Sequence, residues 1–275
     1  MKVERIDLYE YYGIEKPNGA RGFLDCYIIE KHSEHSQNRL RPAMLVNPGG
    51  AYAFVSAREG EPIAIHYLNS GYQAFVLNYS VCPISFPYQL LEGCMAICYV
   101  RENASRLNID KEHVGAVGFS AGGHLTASIA TLYNHQKIKE FLGDKVNLCR
   151  PDAVILSYPV IAHSEFEHKL SIDNVSGNDE TLRELLSLEK RVNKDTPPAF
   201  IWTTSEDETV PCENSLVMAM AYKKAGVPFE LHVFEKGIHG LSRCDQEVNT
   251  PNAPASEWLK MSNTWLSQRG FGIKD

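Results

Sequence analysis

Three residues of the types used in nucleophilic acyl transfer are spread along this 275-residue chain, and each follows a short apolar run. Ser120 lies in the pattern Gly118-x-Ser120-x-Gly122, directly after the apolar run at 114–118. A serine on a sharp turn between a strand and a helix is the context in which this pattern indicates a nucleophile. Glycines beside it let the strand and helix backbones approach closely. The pentapeptide alone is equally compatible with a glycine-rich turn that carries an incidental serine.

A nucleophilic serine needs a base, and the candidate is His239, which lies between glycines in a loop after the apolar run at 229–234. Other histidines have positions that favour other roles. His232 alternates within a predicted strand, and His124, one helical turn past the serine, is expected to brace its turn. His163 follows a strand and is the remaining candidate for a pocket residue. Four histidines in polar stretches are predicted to be solvated: His32, His35, His135 and His168.

The carboxylate that would orient the imidazole is Asp207, which follows the apolar run at 199–204. A carboxylate at this point would hold the imidazole tautomer and stabilise the imidazolium that forms during attack. Asp207 is preferred to its acidic neighbours because Asp-x-x-Val-Pro leads directly into the next predicted helix and fixes the loop. Glu206 is the second choice. The resulting order along the chain is serine, aspartate, histidine, which differs from that of the chymotrypsin and subtilisin folds.

An acyl-transfer site also needs backbone N–H groups that face the developing oxyanion. The first candidate donor is Ala121, directly after the serine. The second is Gly50 or Ala51, in the glycine-bearing loop at 48–52 that follows an early apolar run. One such donor is worth about 3–4 kcal/mol of activation barrier in measured enzymes.

Strands and helices alternate along the chain and must position these loops. Apolar runs predict strands at 43–46, 73–79, 114–118, 153–158, 199–204 and 229–234, and helices are predicted at 61–69, 89–107, 120–133, 181–188, 212–225 and 255–268. This alternation predicts an α/β fold with a mostly parallel central sheet and helices on both faces. The apolar patch at 23–29 predicts early antiparallel strands. We expect one domain over 1–275, with 163–196 as a small cap-like insertion near the carboxyl edge of the sheet.

Composition excludes several classes of function. With 27 basic and 34 acidic side chains the net charge is −7, and no basic run favours a nucleic-acid partner. No apolar segment is long enough for a membrane span, and the first residues lack the apolar core of a signal peptide, so a cytoplasmic location is expected. The seven cysteines form no C-x-x-C pair, and Cys94 and Cys98 are predicted to pack as small apolar groups, without a metal. A homo-oligomer is compatible with this composition.

The chain resembles the α/β-hydrolase superfamily, in particular small bacterial esterases similar to acetyl xylan esterases and hormone-sensitive-lipase-like carboxylesterases. The segments that carry the resemblance are Gly-Phe-Ser-Ala-Gly-Gly-His-Leu at 118–125, Leu-Asn-Tyr-Ser-Val-Cys-Pro at 77–83, Thr-Pro-Pro-Ala-Phe at 196–200 and Phe-Glu-Lys-Gly-Ile-His-Gly at 234–240. The family's His-Gly-Gly-Gly motif is only partly present, since Pro48 replaces its histidine and Ala51 its third glycine. The resemblance implies the α/β-hydrolase fold and an acyl-enzyme formed on Ser120, with no metal or organic cofactor.

The same resemblance implies a small acyl ester as substrate, with an acetylated sugar as the favoured class. Tyr52, Tyr79 and Tyr158 are candidates for an aromatic sugar-binding rim, and His163 is a candidate pocket residue. A serine peptidase or amidase, similar to dipeptidyl peptidases or formamidases, is the alternative because these enzymes share the serine turn. A hydrolase-fold protein that binds without catalysis is a third hypothesis, and the complete set of serine, aspartate and histidine counts against it.

Overall fold

The fold is built on one twisted sheet, seen in a computed structural model that describes residues 1–31, 34 and 38–274. His32 and His35 lie outside the described residues. In chain order the described strands are β1 Lys2–Asp7, β2 Phe23–Ile28, β3 Arg41–Asn47, β4 Gln73–Asn78, β5 Ile109–Phe119, β6 Ala153–Ser157, β7 Ala199–Thr204 and β8 Phe229–Phe234. They are arranged in the order β1-β2-β4-β3-β5-β6-β7-β8. All neighbours from β4 to β8 pair in parallel, whereas β2 is antiparallel to both β1 and β4.

Helices cover both faces of this sheet. They are α1 Leu8–Tyr12, α2 Glu61–Asn69, α3 Tyr88–Glu102, α4 Ala104–Leu107, α5 Ala121–Leu132, α6 Gln136–Leu142, α7 Lys169–Ser176, α8 Glu180–Leu185, α9 Glu213–Ala225 and α10 Ala253–Ser267. In the part of the chain that the structure describes, no helix combines the length and apolarity needed to cross a membrane.

Side chains of the central strands alternate between two apolar cores, as a period of two requires. In β3, Ala43 and Leu45 belong to the core that α3, α5 and α9 cover, whereas Met44 and Val46 belong to the core that α2 and α10 cover. Because both faces are covered, these strands are continuous apolar runs, which made them recognisable in the sequence. The predicted fold class, a mostly parallel sheet between two layers of helices, is confirmed.

Several element boundaries differ from the prediction. The helix expected at 89–107 is divided at Asn103, whose side-chain amide donates to the carbonyl of Tyr99 at 2.9 Å and closes α3. Strand β5 begins at Ile109, five residues before the predicted start. The prediction missed its first half because those residues are mostly polar and do not form an apolar run. The helix expected at 181–188 is α8 followed by a short 3-10 turn, Leu188–Lys190, and α7 was not predicted.

A buried carboxylate joins the N-terminal region to the sheet. Glu92, in α3, is fully buried and accepts hydrogen bonds from the Tyr9 hydroxyl at 2.8 Å and from the Ser80 amide at 2.6 Å. The Ser80 hydroxyl donates to the same carboxylate. Desolvation outweighs these hydrogen bonds and raises the pKa of Glu92 to about 7.

The raised pKa predicts a pH-dependent stability. Because the folded state holds the Glu92 proton more tightly than the unfolded chain, its contribution is complete below about pH 4.5 and lost as pH rises through about 7. Between pH 5 and pH 8 the free energy of unfolding should therefore fall by about 2–3 kcal/mol more in the wild type than in Glu92→Gln. Denaturant unfolding at both pH values measures this difference. The exposed Glu112→Gln serves as control, and equal pH dependence in wild type and Glu92→Gln would contradict the prediction.

Candidate active site

Ser120 lies on the sharp turn between β5 and α5, which we call the serine turn (residues 118–122). Its backbone has φ of 53°, a conformation that costs a non-glycine residue about 1–3 kcal/mol. Hydrogen bonds hold this conformation on both sides. The Ser120 amide donates to the carbonyl of Ser157 at 3.0 Å, and the Val160 amide donates to the Ser120 carbonyl at 3.1 Å. The side chain is therefore fixed at the carboxyl edge of the sheet, facing a cavity.

The two glycines of the serine turn lie where the backbone leaves no room for a side chain. A Cβ atom on Gly118 would lie 2.1 Å from the carbonyl oxygen of Gly122, and one on Gly122 would lie 2.0 Å from the carbonyl oxygen of Asn47. The first contact lies between β5 and α5, and the second joins α5 to the end of β3. Both glycines are therefore needed for close backbone packing, as the sequence pattern predicts.

The structure brings His239 and Asp207 together with Ser120. His239 Nε2 lies 2.8 Å from Ser120 Oγ, and its Nδ1 lies 2.6 Å from Asp207 Oδ2. The other carboxylate oxygen accepts from the amides of Thr209 at 3.0 Å and Val210 at 2.9 Å. Only 1% of the Asp207 side chain is exposed, against 18% for His239. A buried carboxylate with its second oxygen already occupied is suited to hold one imidazole orientation.

Contacts between two neighbouring loops position this pair. Thr204, at the end of β7, donates its hydroxyl to the carbonyl of Gly237 at 2.8 Å, and the Ser205 amide donates to Phe234, at the end of β8, at 2.8 Å. Glu206 instead points outward and accepts from Lys236 Nζ at 2.5 Å. The structure therefore places Asp207, and not the second choice Glu206, against the imidazole.

A cavity of about 200 Å³ lies in front of Ser120 and is bounded on one side by Gly50 and Ala51 of the 48–52 loop. Among the residues that the structure describes, the amides of Gly50 and Ala51 have no hydrogen-bond partner. Ala121 provides the first N–H of α5, one of the donors that a helix cannot satisfy internally. All three predicted oxyanion donors thus lie around Ser120.

The 48–52 loop is held by groups beneath it. The amide of Gly49 donates to the buried carboxylate of Glu59 at 2.8 Å, so this amide is not free for a ligand. Tyr158 donates its hydroxyl to the same carboxylate at 2.7 Å, and Tyr79 donates to the carbonyl of Pro48 at 2.6 Å. Sequence reasoning did not single out Glu59, which lies in a charged stretch with no motif around it.

Tyr52 connects this loop to α5, the helix that follows Ser120. Its hydroxyl lies 2.8 Å from His124 Nδ1, and His124 Nε2 lies 2.9 Å from the carbonyl of Leu186. A carbonyl only accepts, so Nε2 carries the proton and the Tyr52 hydroxyl donates to Nδ1. Complete burial lowers the pKa of His124 to about 4, so the ring is neutral. This agrees with the expectation that His124 braces the serine turn.

The prediction of a tyrosine rim is wrong. Tyr52, Tyr79 and Tyr158 are at most 2% exposed, and their hydroxyls bond to other groups of the protein. Burial raises the pKa of each hydroxyl, so all three remain donors. These side chains support the site from below and do not line it.

The predictions for two histidines between β6 and β7 are both wrong, since His168 lines the cavity and His163 does not. His163, predicted to line the pocket, lies outside the cavity and bonds to the carboxylates of Glu167 at 2.6 Å and Glu180 at 3.0 Å, which raise its pKa. His168, predicted to be solvated, is half-buried and lines the cavity beside Ser120 and His239. No local signal marks His168, because it lies in a polar stretch just before α7 and the cavity that it lines is formed by residues distant in sequence.

The packing at the serine turn predicts that Gly122→Ala is strongly destabilising. The new Cβ would meet backbone oxygens of β3 that cannot move away, so the loss should exceed the range of about 1–3 kcal/mol typical of overpacking. Thermal unfolding should show a melting temperature lower by at least several degrees. Gly272→Ala is the matched control, because a Cβ there meets nothing within 4 Å. Equal melting temperatures for the two variants would refute the packing argument.

Comparison with known proteins identifies the family. The model of the BD-FAE family matches residues 24–222. Endo-1,4-beta-xylanase B of Butyrivibrio fibrisolvens is 40% identical over 78% of this chain and 34% of its own length. An acetylxylan esterase of Xylanibacter ruminicola is 32% identical over 70% of this chain and 40% of its own length. The chain thus spans well under half the length of these two relatives.

Solved structures cover the whole chain. An acetyl ester-xyloside bifunctional hydrolase from Caldicellulosiruptor lactoaceticus is 37% identical with a TM-score of 0.84, over 98% of this chain and 97% of that one. The carboxylesterase Cest-2923 from Lactobacillus plantarum is 25% identical with a TM-score of 0.82, and each chain is fully covered. The predicted resemblance to α/β-hydrolase esterases is confirmed. With a family model that matches most of its length, this chain belongs to the BD-FAE family and has the α/β-hydrolase fold.

Proposed function

We propose that this protein is a serine esterase that hydrolyses short acyl esters through an acyl-enzyme on Ser120. The observation that carries the proposal is the continuous pair of hydrogen bonds from Ser120 through His239 to Asp207, at 2.8 and 2.6 Å, at the edge of a cavity with free amides. This is the geometry of a nucleophile, a general base and an orienting carboxylate.

In the proposed reaction, Ser120 Oγ attacks the ester carbonyl and His239 Nε2 takes its proton. Asp207 stabilises the resulting imidazolium, and the amides of Ala121 and of Gly50 or Ala51 donate to the oxyanion. The imidazolium then gives its proton to the departing alcohol oxygen, leaving the acyl group on Ser120. Water, deprotonated by the same imidazole, hydrolyses this intermediate. Each step is completed with groups of this chain and water.

Two observations favour a small acyl group and a sugar-like alcohol. The cavity of about 200 Å³ lies below the range of about 300–1,000 Å³ typical of drug-sized ligands. The names of two relatives, an acetylxylan esterase and an acetyl ester-xyloside hydrolase, support acetylated sugars as the substrate class.

We further propose that 163–196 is a small cap on a single domain formed by 1–275. Within this segment, the Asn174 side chain donates to the carbonyl of Ala51 at 2.9 Å, and Leu186 accepts from His124. Leu170 lines the cavity together with Phe54 of the loop after β3. The segment therefore contacts the 48–52 loop and α5, and it forms part of the cavity wall.

Variants of Ser120 and Asp207 provide the main test. Ser120→Ala and Asp207→Asn should lower kcat for 4-nitrophenyl acetate by about 10³-fold or more, because each removes a group the transition state requires. A fluorophosphonate should label the wild type at Ser120 and leave Ser120→Ala unlabelled. Glu206→Gln, in the same loop but turned to Lys236, should retain activity within about twofold. Release of nitrophenol by Ser120→Ala at the wild-type rate would overturn the proposal.

A series of 4-nitrophenyl esters tests the size of the acyl group. The value of kcat/KM should fall by at least about tenfold between acetate and octanoate, because the longer chain exceeds the cavity. Aminoacyl 4-nitroanilides measure the alternative of a peptidase or amidase. Faster turnover of an anilide than of the acetate would favour that alternative over an esterase.

A further inference from the structure

The cavity contains polar side chains that the proposed mechanism does not use, and His168 is one of them. His168 precedes α7, is half-buried, and lines the cavity together with Ser120 and His239. Its Nδ1 lies 2.8 Å from the hydroxyl of Ser171. Its Nε2 has no hydrogen-bond partner anywhere in 1–31, 34 and 38–274.

The surroundings of Ser171 fix which ring nitrogen carries the proton. Ser171 is completely buried, and within the described chain His168 Nδ1 is the acceptor available to its hydroxyl proton. A buried hydroxyl that donated to nothing would lose the free energy of a hydrogen bond. Ser171 therefore donates to Nδ1, and the proton of the neutral ring lies on Nε2. Burial lowers the pKa of His168, and repulsion by His239 lowers it further, so the ring remains neutral.

The position of His168 indicates which part of a substrate it faces. Ile172, one helical turn beyond His168, packs with Val210 of the loop that carries Asp207, and Thr209 of that loop lines the cavity beside His168, so the ring lies on the Asp207–His239 side of the cavity. In the proposed reaction His239 passes its proton to the alcohol oxygen, so the alcohol portion of the ester must lie on this side.

Arg58 is a second hydrogen-bond donor on the His239 side of the cavity. The guanidinium of Arg58 lies against the backbone next to His239, where a Cβ on Gly240 would be 2.4 Å from Nη2. Arg58 lines the cavity, is exposed, and has no carboxylate within 4 Å among the described residues. The side of the cavity next to His239, where the alcohol portion would lie, therefore carries two hydrogen-bond donors, His168 and Arg58.

We propose that His168 Nε2–H donates a hydrogen bond to a hydroxyl of the substrate's alcohol portion, so that the site selects esters of polyhydroxylated alcohols over esters of apolar ones. This inference rests on the proposed esterase function and specifies its substrate class. A polar site that binds a substrate hydroxyl discriminates against the analogue that lacks it, because the donor is then buried without a partner.

The test compares a monoacetylated methyl pyranoside with cyclohexyl acetate, an ester of similar ring size without hydroxyls. His168→Leu should lower kcat/KM for the pyranoside about tenfold more than for cyclohexyl acetate. His168→Gln, whose amide can donate, should recover part of the preference. Ser171→Ala should reduce the preference by about threefold, since Nδ1 loses its donor and both ring tautomers become accessible. His163→Gln, in the same segment but outside the cavity, should leave the preference unchanged.

The outcomes separate this inference from the proposed function. An equal fall for both esters in His168→Leu would assign the ring a structural role and overturn the inference. A preference in His168→Gln no greater than in His168→Leu, or an unchanged preference in Ser171→Ala, would also overturn it. If the wild type fails to hydrolyse 4-nitrophenyl acetate, the proposed esterase function itself fails.

Discussion

The site depends on one close approach between backbones, where the first turn of α5 passes beneath the end of β3. A Cβ on Gly122 would lie 2.0 Å from the carbonyl oxygen of Asn47 and 2.3 Å from that of Pro48. Because Pro48 begins the loop that carries Gly50 and Ala51, this contact sets Ser120 and the candidate oxyanion donors in one fixed relation. Preorganised donors lower a barrier because they need no rearrangement as charge develops. The absence of one side chain thus determines the geometry on which the proposed chemistry rests.

Buried polar groups keep this arrangement rigid. Beneath the 48–52 loop, Tyr52, Tyr79 and Tyr158 each place a hydroxyl on a specific acceptor, and Glu59 accepts from both the loop and Tyr158. Buried hydroxyls and carboxylates are costly unless they are hydrogen-bonded, so each partner restricts where the others can lie. Ala51 and Tyr52 both have φ of 54°, an uncommon conformation for residues with a Cβ. The buried network holds the loop in this conformation.

The segment between β6 and β7 contributes two side chains to the cavity. Its ion pairs, such as Arg183 with Asp173 and His163 with Glu167, lie away from Ser120 and hold the segment together. Its inner side contributes His168 and Leu170 to the cavity. One side chain offers a hydrogen-bond donor and the other an apolar surface, a combination suited to an alcohol with both polar and apolar faces. Family membership supports the proposed hydrolase chemistry, and this segment is where we place the choice of alcohol.

The sequence by itself determined the α/β fold, the mostly parallel central sheet and the candidate residues Ser120, Asp207 and His239. These follow from local features: apolar runs of strand length, glycines at a sharp turn, and polar residues just after strands, which parallel pairing brings to one edge of the sheet. It did not determine the division of the 89–107 helix at Asn103 or the places of Tyr52, Tyr79, His163 and His168. Burial and hydrogen bonding of these side chains depend on residues distant in sequence, such as Leu186 for His124 and Glu180 for His163. Only tertiary structure decides such contacts, because no local pattern records which buried polar group will meet which partner.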